Sequence, residues 1–112
     1  MTTAELHWLA GILEGEGCFH LQSKKSSGVY IQISMNMTDE DVVRKAQKIA
    51  GVGKVYGPYQ RKAPSGAAAK QVWLWQVMKQ ADAAALMMTL YPLMGQRRQN
   101  KITELLAVWR AN

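Results

Sequence analysis

The stretch WLAGILEGEG, Trp8 to Gly17, runs from apolar residues straight into two glutamates set among glycines. Residues 3 to 15 read as a helix, opened by Thr2 with Glu5 three positions on, the capping-box pattern, and closed by glycine. At about 100° per residue, Leu6, Leu9 and Leu13 share one narrow arc, while Ala4, Trp8, Gly11 and Gly15 share the opposite one. A helix serving one core needs only the first of these. Its acidic end is a second peculiarity. Negative charge at a helix carboxyl end is disfavoured by about 0.3–1 kcal/mol, so Glu14 and Glu16 call for something positive beside them.

Fourteen Lys and Arg against eight Asp and Glu give a formal charge of +6 and a pI near 9.7, a balance that favours a polyanionic partner, nucleic acid first. The 112 residues carry one mixed pattern throughout and read as a single domain, 1–112, long enough to bury about two thirds of the unfolded surface. One cysteine, Cys18, excludes an internal disulfide, and with only His7 and His20 beside it cannot fill a structural zinc site. Cys18 and His7 read as structural. No apolar run has the length of a membrane span, and MTTAELHW lacks the basic and apolar regions of a secretory signal. The expectation is a complete, soluble, intracellular protein without a targeting signal, a membrane partner or a small organic cofactor.

Beyond the opening helix the pattern changes to alternation over 18–24 and 29–37, a hairpin joined by the polar loop SKKSSG. Val29, Ile31, Ile33, Met35 and Met37 point one way, and Tyr30, Gln32, Ser34 and Asn36 the other. Thr38 is placed to cap a helix over 39–50, with acids in its first turn and Gly51 as its stop. Strands follow at about 52–60 and 69–77, separated by the basic loop RKAPSGAAAK. In the last strand Trp73, Trp75 and Val77 form the core face and Val72, Leu74 and Gln76 the other. A helix over 80–91 stops near Pro92, and 95–112 supplies a closing helix. Trp73, Trp75 and Trp109 are expected in the core, Trp8 at an interface. The order, helix then two strand-strand-helix units then a last helix, predicts an α+β domain whose antiparallel sheet keeps one face free. Twist makes such a face concave, with a width that suits a duplex.

LAGILEGEG, residues 9–17, resembles the LAGLIDADG motif of homing endonucleases, with conservative replacements within it. The element order agrees, GVGKVY at 51–56 falls where that family turns into its third strand, and LYPLMGQRRQNKI at 90–102 resembles its late proline and basic segment. The resemblance implies the α-ββα-ββα-α fold with a saddle-shaped four-stranded antiparallel sheet. It also implies a homodimer that straddles double-stranded DNA and hydrolyses one phosphodiester per strand with Mg²⁺, on a palindromic or nearly palindromic site. Ala4, Trp8, Gly11 and Gly15 would then meet the same face of a second copy and bring two Glu16 carboxylates together, a pair that needs a cation between them.

By the same resemblance Glu16 binds the catalytic magnesium, helped by the Gly15 carbonyl, and Glu14 caps or hydrogen-bonds near the helix end. Asp39 stands where a polar residue orients water near the metal. Arg97 stands where the family commonly has a lysine near the scissile phosphate. Arginine clamps phosphate well but gives up a proton far less readily, so it serves as an electrophile and hardly as a base. Arg98 and Lys101 are expected to share phosphate binding. Alternation puts His20, Gln22, Lys24, Tyr30, Gln32, Ser34, Asn36, Tyr56, Gln60 and Gln76 towards DNA, with Lys25, Lys62 and Lys70 on the loops. Gln and Asn suit adenine edges, and Lys suits guanine. Two alternatives stay open: a binding-only relative, acting as a DNA-binding regulator or as an intron-splicing partner on RNA, and a small basic dimer whose polar sheet face is ordinary wet surface. Glu16 argues against the first, because binding alone has no need of that acid, and Arg97 keeps it in play.

Overall fold

The computed structural model describes residues 1–24, 28–61 and 70–112, with only the backbone of Lys24 and Arg61. Lys25, Lys62 and most of the RKAPSGAAAK loop lie outside the described residues. The elements are α1 (Thr3–Glu16), β1 (Gly17–Lys24), β2 (Gly28–Met37), α2 (Glu40–Ala50), β3 (Lys54–Arg61), β4 (Lys70–Val77), α3 (Gln80–Leu90), a 3₁₀ turn (Tyr91–Leu93) and α4 (Gln96–Ala111). The architecture is the expected α+β one.

The capping box of α1 forms in both directions: the Glu5 N–H donates to Thr2 Oγ1 at 3.1 Å, and the Thr2 N–H donates to Glu5 Oε1 at 2.8 Å. At its other end the helix passes into β1 with no residue between. A Cβ on Gly17 would lie 2.6 Å from Leu13 Cδ2 and 2.7 Å from the Leu13 carbonyl oxygen, so only glycine fits that corner. The second helix starts later than the capping pattern predicts. Met37 stays in the ladder opposite Trp73, so the chain turns after it, and Asp39 rather than Thr38 takes the N-cap position, without a side-chain cap bond. Gly51 ends α2 as predicted, in the left-handed conformation with φ 72°.

The sheet is antiparallel throughout, in the order β1-β2-β4-β3, so each hairpin contributes one central and one edge strand. The four helices pack on one face over a core built on Leu9, Leu13, Ile33, Trp75, Met87, Leu90 and Leu105, all fully buried. Trp75 also donates its Nε1–H to the Val52 carbonyl at 3.0 Å. Trp73 and Trp109 are half-buried against this core. Where β4 has ended, the Gln80 side chain replaces it beside β2: its amide accepts from the Ile31 N–H at 2.8 Å and donates to the Ile31 carbonyl at 2.9 Å. Both ladder groups are thereby satisfied.

β3 is the irregular strand. Tyr56 pairs with Leu74, but Tyr59 pairs with Val72, so β3 carries one residue more than β4 across the Gly57–Pro58 step. A one-residue slip exchanges the faces. Among the described residues, no helix is long and apolar enough to cross a membrane.

Candidate functional site: an acidic helix end beside a polar sheet face

Glu14 and Glu16 end one helix two residues apart and meet different surroundings. Glu14 turns towards the start of α4, where its Oε1 accepts from the Gly95 N–H at 2.5 Å. Arg98 Nε donates to Glu14 Oε2 at 3.1 Å and to the Glu14 carbonyl oxygen at 3.0 Å. The Arg98 side chain is only 11% exposed, and its guanidinium sits 5.6 Å from the centre of the Phe19 ring. Part of the positive charge that an acidic carboxyl end needs is therefore supplied by the chain itself. Glu14 is an anchor, in line with its expected hydrogen-bonding role. Arg98, expected at phosphate, is tied to Glu14 through its Nε and also lines the groove that holds Arg97 and Lys101; a cation so nearly buried must keep its partner.

Glu16, the last residue of α1, is exposed, as is Gly15. Carbonyls in the final turn of a helix lack intrahelical partners, so this end offers a carboxylate and carbonyl oxygens, a hard donor set that suits Mg²⁺ rather than a soft metal. Among the described residues no three of His, Cys, Asp and Glu come together as a metal site. Any hard cation held at this helix end would need further oxygens besides those of Glu16 and these carbonyls. Asp39 is exposed at the head of α2.

Alongside, Gly17, Cys18, Arg97, Asn100, Lys101 and Glu104 are among the residues lining a groove of about 490 Å³. Arg97 is exposed on its rim. Lys101 approaches Glu104 only at 4.0 Å, with both side chains well exposed, a weak pair that leaves the ammonium open to another anion. The groove brings Arg97 and Lys101 to the first residues of β1, directly after Glu16; it does not include Asp39.

The register assigns the free sheet face. Cys18, His20 and Gln22 on β1 stand opposite Ser34, Gln32 and Tyr30 on β2, and Ser34 and Asn36 stand opposite Gln76 and Leu74 on β4. Lys54 and Tyr56 on β3 continue the row. Gln32 is 4% exposed and Ser34 9%, so neither is an outward-facing contact as alternation predicts; β2 is a central strand and its neighbours' side chains close over it. They serve as hydrogen-bond partners. His20 Nε2 lies 2.9 Å from Ser34 Oγ, and its Nδ1 lies 3.5 Å from Cys18 Sγ. Gln22 Nε2 donates to Gln32 Oε1 at 3.0 Å, and the Tyr30 hydroxyl donates to Gln22 Oε1. Burial, and then the positive charge of Lys101, hold the His20 pKa below its ordinary value.

Asn36, Tyr56 and Lys70 are exposed, and Gln76 is half-buried. The β3 bulge corrects one assignment: Gln60 pairs with Gln71, on the face of Trp73 and Trp75, and Tyr59 takes the place beside Val72 on the free face. Tyr59 is 52% exposed. The signal for it was Gly57-Pro58 inside a strand, a mark of a bulge. Cys18, read as structural, is exposed on this same face, and His7 is exposed on α1.

On the outer side of α1, Ala4, Gly11 and Gly15 are exposed, and a Cβ added to either glycine would meet nothing within 4 Å. Trp8 is half-buried there, with Lys45 Nζ 4.4 Å from its ring centre.

Residues 9–97 match the LAGLIDADG endonuclease family, and the chain belongs to it. Several solved structures share the fold. The homing endonuclease I-CvuI, in complex with its target in the presence of 2 mM Ca, is 20% identical with a TM-score of 0.66 over 94% of this chain and 68% of that one. The group I intron-encoded homing endonuclease I-CeuI, complexed with DNA, is 13% identical with a TM-score of 0.71 over 95% of this chain and 54% of that one. The LAGLIDADG meganuclease I-AabMI, bound to uncleaved DNA, is 22% identical with a TM-score of 0.64 over 83% of this chain and 31% of that one. The chain thus spans from about a third to about two thirds of their length. No curated protein matches it.

Proposed function

We propose that this protein is a site-specific double-strand DNA endonuclease that acts as a homodimer with Mg²⁺ on a palindromic or nearly palindromic site. The observation that carries the reading is Glu16: a carboxylate exposed at the end of a helix whose outer face is bare glycine and alanine, beside a groove with Arg97 and Lys101 on it. Self-association through Ala4, Trp8, Gly11 and Gly15 would set two Glu16 side chains close together. Glu16 and the Gly15 carbonyl would hold magnesium, which supplies charge neutralisation at the scissile phosphate. Lys101 and Arg97 would grip phosphate oxygens from the groove. Arg97 stabilises developing negative charge there without taking a proton. Asp39 is proposed to orient water near the acidic end. The sheet face, with Gln22, Tyr30, Asn36, Lys54, Tyr56 and Tyr59, would lie along the major groove.

Arg97 in place of a more readily deprotonated lysine favours one second reading, a protein of the same fold that binds nucleic acid without cutting it. Cleavage of a randomised duplex library with Mg²⁺, set against binding with Ca²⁺, separates the two. The endonuclease reading expects cut duplexes and twice the chain mass in sedimentation. Binding without cutting would leave the second reading, and no salt-sensitive DNA binding would remove both.

A further inference from the structure

We infer that Lys54 and Lys79 form a second phosphate-binding site at the far edge of the sheet, which grips the DNA backbone across the major groove from the one held by Arg97 and Lys101. This rests on the proposed DNA-binding role of the sheet. β3 starts at that edge, β4 ends beside it and α3 begins just beyond. Between them lies a groove of about 340 Å³, with Lys54, Tyr56, Gln76 and Lys79 among its lining residues. Both lysines are exposed, and neither pairs with an acid among the described residues. Asp82, half-buried in the same lining, stays beyond ion-pair distance of either. Two ammonium groups against one carboxylate leave the groove a net positive charge.

The strand order fixes where this groove stands. Cys18 pairs with Ser34, Ser34 with Gln76 and Gln76 with Lys54, so these residues form one row across the whole sheet. Cys18 lines the groove of Arg97 and Lys101 at one end of the row, and Gln76 and Lys54 line the groove of Lys79 at the other. Three inter-strand spacings make the row about 14 Å long. The major groove of B-DNA is about 12 Å wide, so strands that run along it set bases under the middle of the row and one backbone beside each end. Ammonium groups at the ends then meet phosphate oxygens, which fix orientation and register without choosing a base. A sheet gripped at one edge can still rock about it; cations at both edges hold it level in the groove.

The test uses duplexes that the natural chain selects from a randomised library in Ca²⁺ buffer, with Lys54→Met, Lys79→Met and, as the control for net charge, the exposed Lys48→Met on α2. Lys54→Met and Lys79→Met should each flatten the slope of log K against log salt by about 0.9 per protomer. Binding should weaken several-fold while the base preferences stay as they were. Lys48→Met should keep the natural slope. Interference by ethylation of single phosphates reads the geometry: the phosphate that ceases to matter in Lys54→Met should lie across the major groove from the one that ceases to matter in Lys101→Met. The proposal is overturned if Lys48→Met flattens the slope as much, if the base preferences move, or if both phosphates lie on one side of the groove. Salt-sensitive binding that Lys54→Met or Lys79→Met leaves unchanged would overturn it and keep the DNA-binding reading intact; a natural chain that binds no DNA would overturn both.

Discussion

The inner and outer sides of the end of α1 carry the same kind of residue under opposite conditions. On the inner side Glu14, although its side chain is 39% exposed, is held by the Gly95 N–H and by Arg98, which lies against Phe19. On the outer side Glu16 and the glycine before it face open space. The contrast separates two tasks that the repeated Glu-Gly pattern runs together. One acid fastens α4 to α1 and so holds Arg97 and Lys101 beside β1; the other is left exposed, which is what the proposed metal-binding role requires. A charge already matched inside the chain has little to offer a ligand, and an exposed one at a helix carboxyl end has reason to bind a cation.

The largest effect on the inner side should come from Arg98→Ala. It leaves the Glu14 carboxylate and carbonyl without their charged donor, and denaturant unfolding should show a loss of about 2 kcal/mol. Arg98→Lys should recover part of that, since a point charge cannot copy a planar group that bonds two oxygens and stacks on a ring. On the outer side, Gly15→Ala has room in the protomer and better helix propensity, so the stability of the single chain should hold or rise by up to about 1 kcal/mol. If that side is the dimer contact, the same change should weaken association by about tenfold or more in sedimentation, because the added methyls meet across the close approach.

A smaller effect tests whether the groove side is electrostatically continuous with the sheet. Burial, and then the charge of Lys101, lower the His20 pKa from its ordinary value. Its lowered pKa means that the unfolded chain takes up the proton first, so this contribution to stability is present above the ordinary histidine pKa near 6.5 and is lost as pH falls through the lowered folded value. Proton NMR titration should show the His20 midpoint rising in Lys101→Met. An unchanged midpoint would place the ammonium too far away to matter.

Much of this is legible in the sequence. The two arcs of α1, the capping box and the strand-strand-helix repeat come from local periodicity and end signals, which are physical constraints within a few residues. What escaped was long-range or irregular. Arg98 and Glu14 are 84 positions apart, and nothing local says that an arginine in a basic run will turn inward. Alternation correctly put Gln32 on the free face, but only the strand order, with β2 in the middle, makes it buried there. Gln60 departs for the opposite reason: regular alternation carried through Gly57-Pro58 puts it on the free face, and the bulge exchanges the faces.

The most direct test sets the two glutamates side by side. With Mg²⁺ and the selected duplex, Glu16→Gln should cut at least about 100-fold more slowly while its DNA binding in Ca²⁺ and its melting temperature match the natural chain. Glu14→Gln should lose stability first and lose cutting only in proportion to the folded fraction. A Glu16→Gln protein that cuts at the natural rate would contradict the account, and so would a fully stable Glu14→Gln protein that does not cut at all.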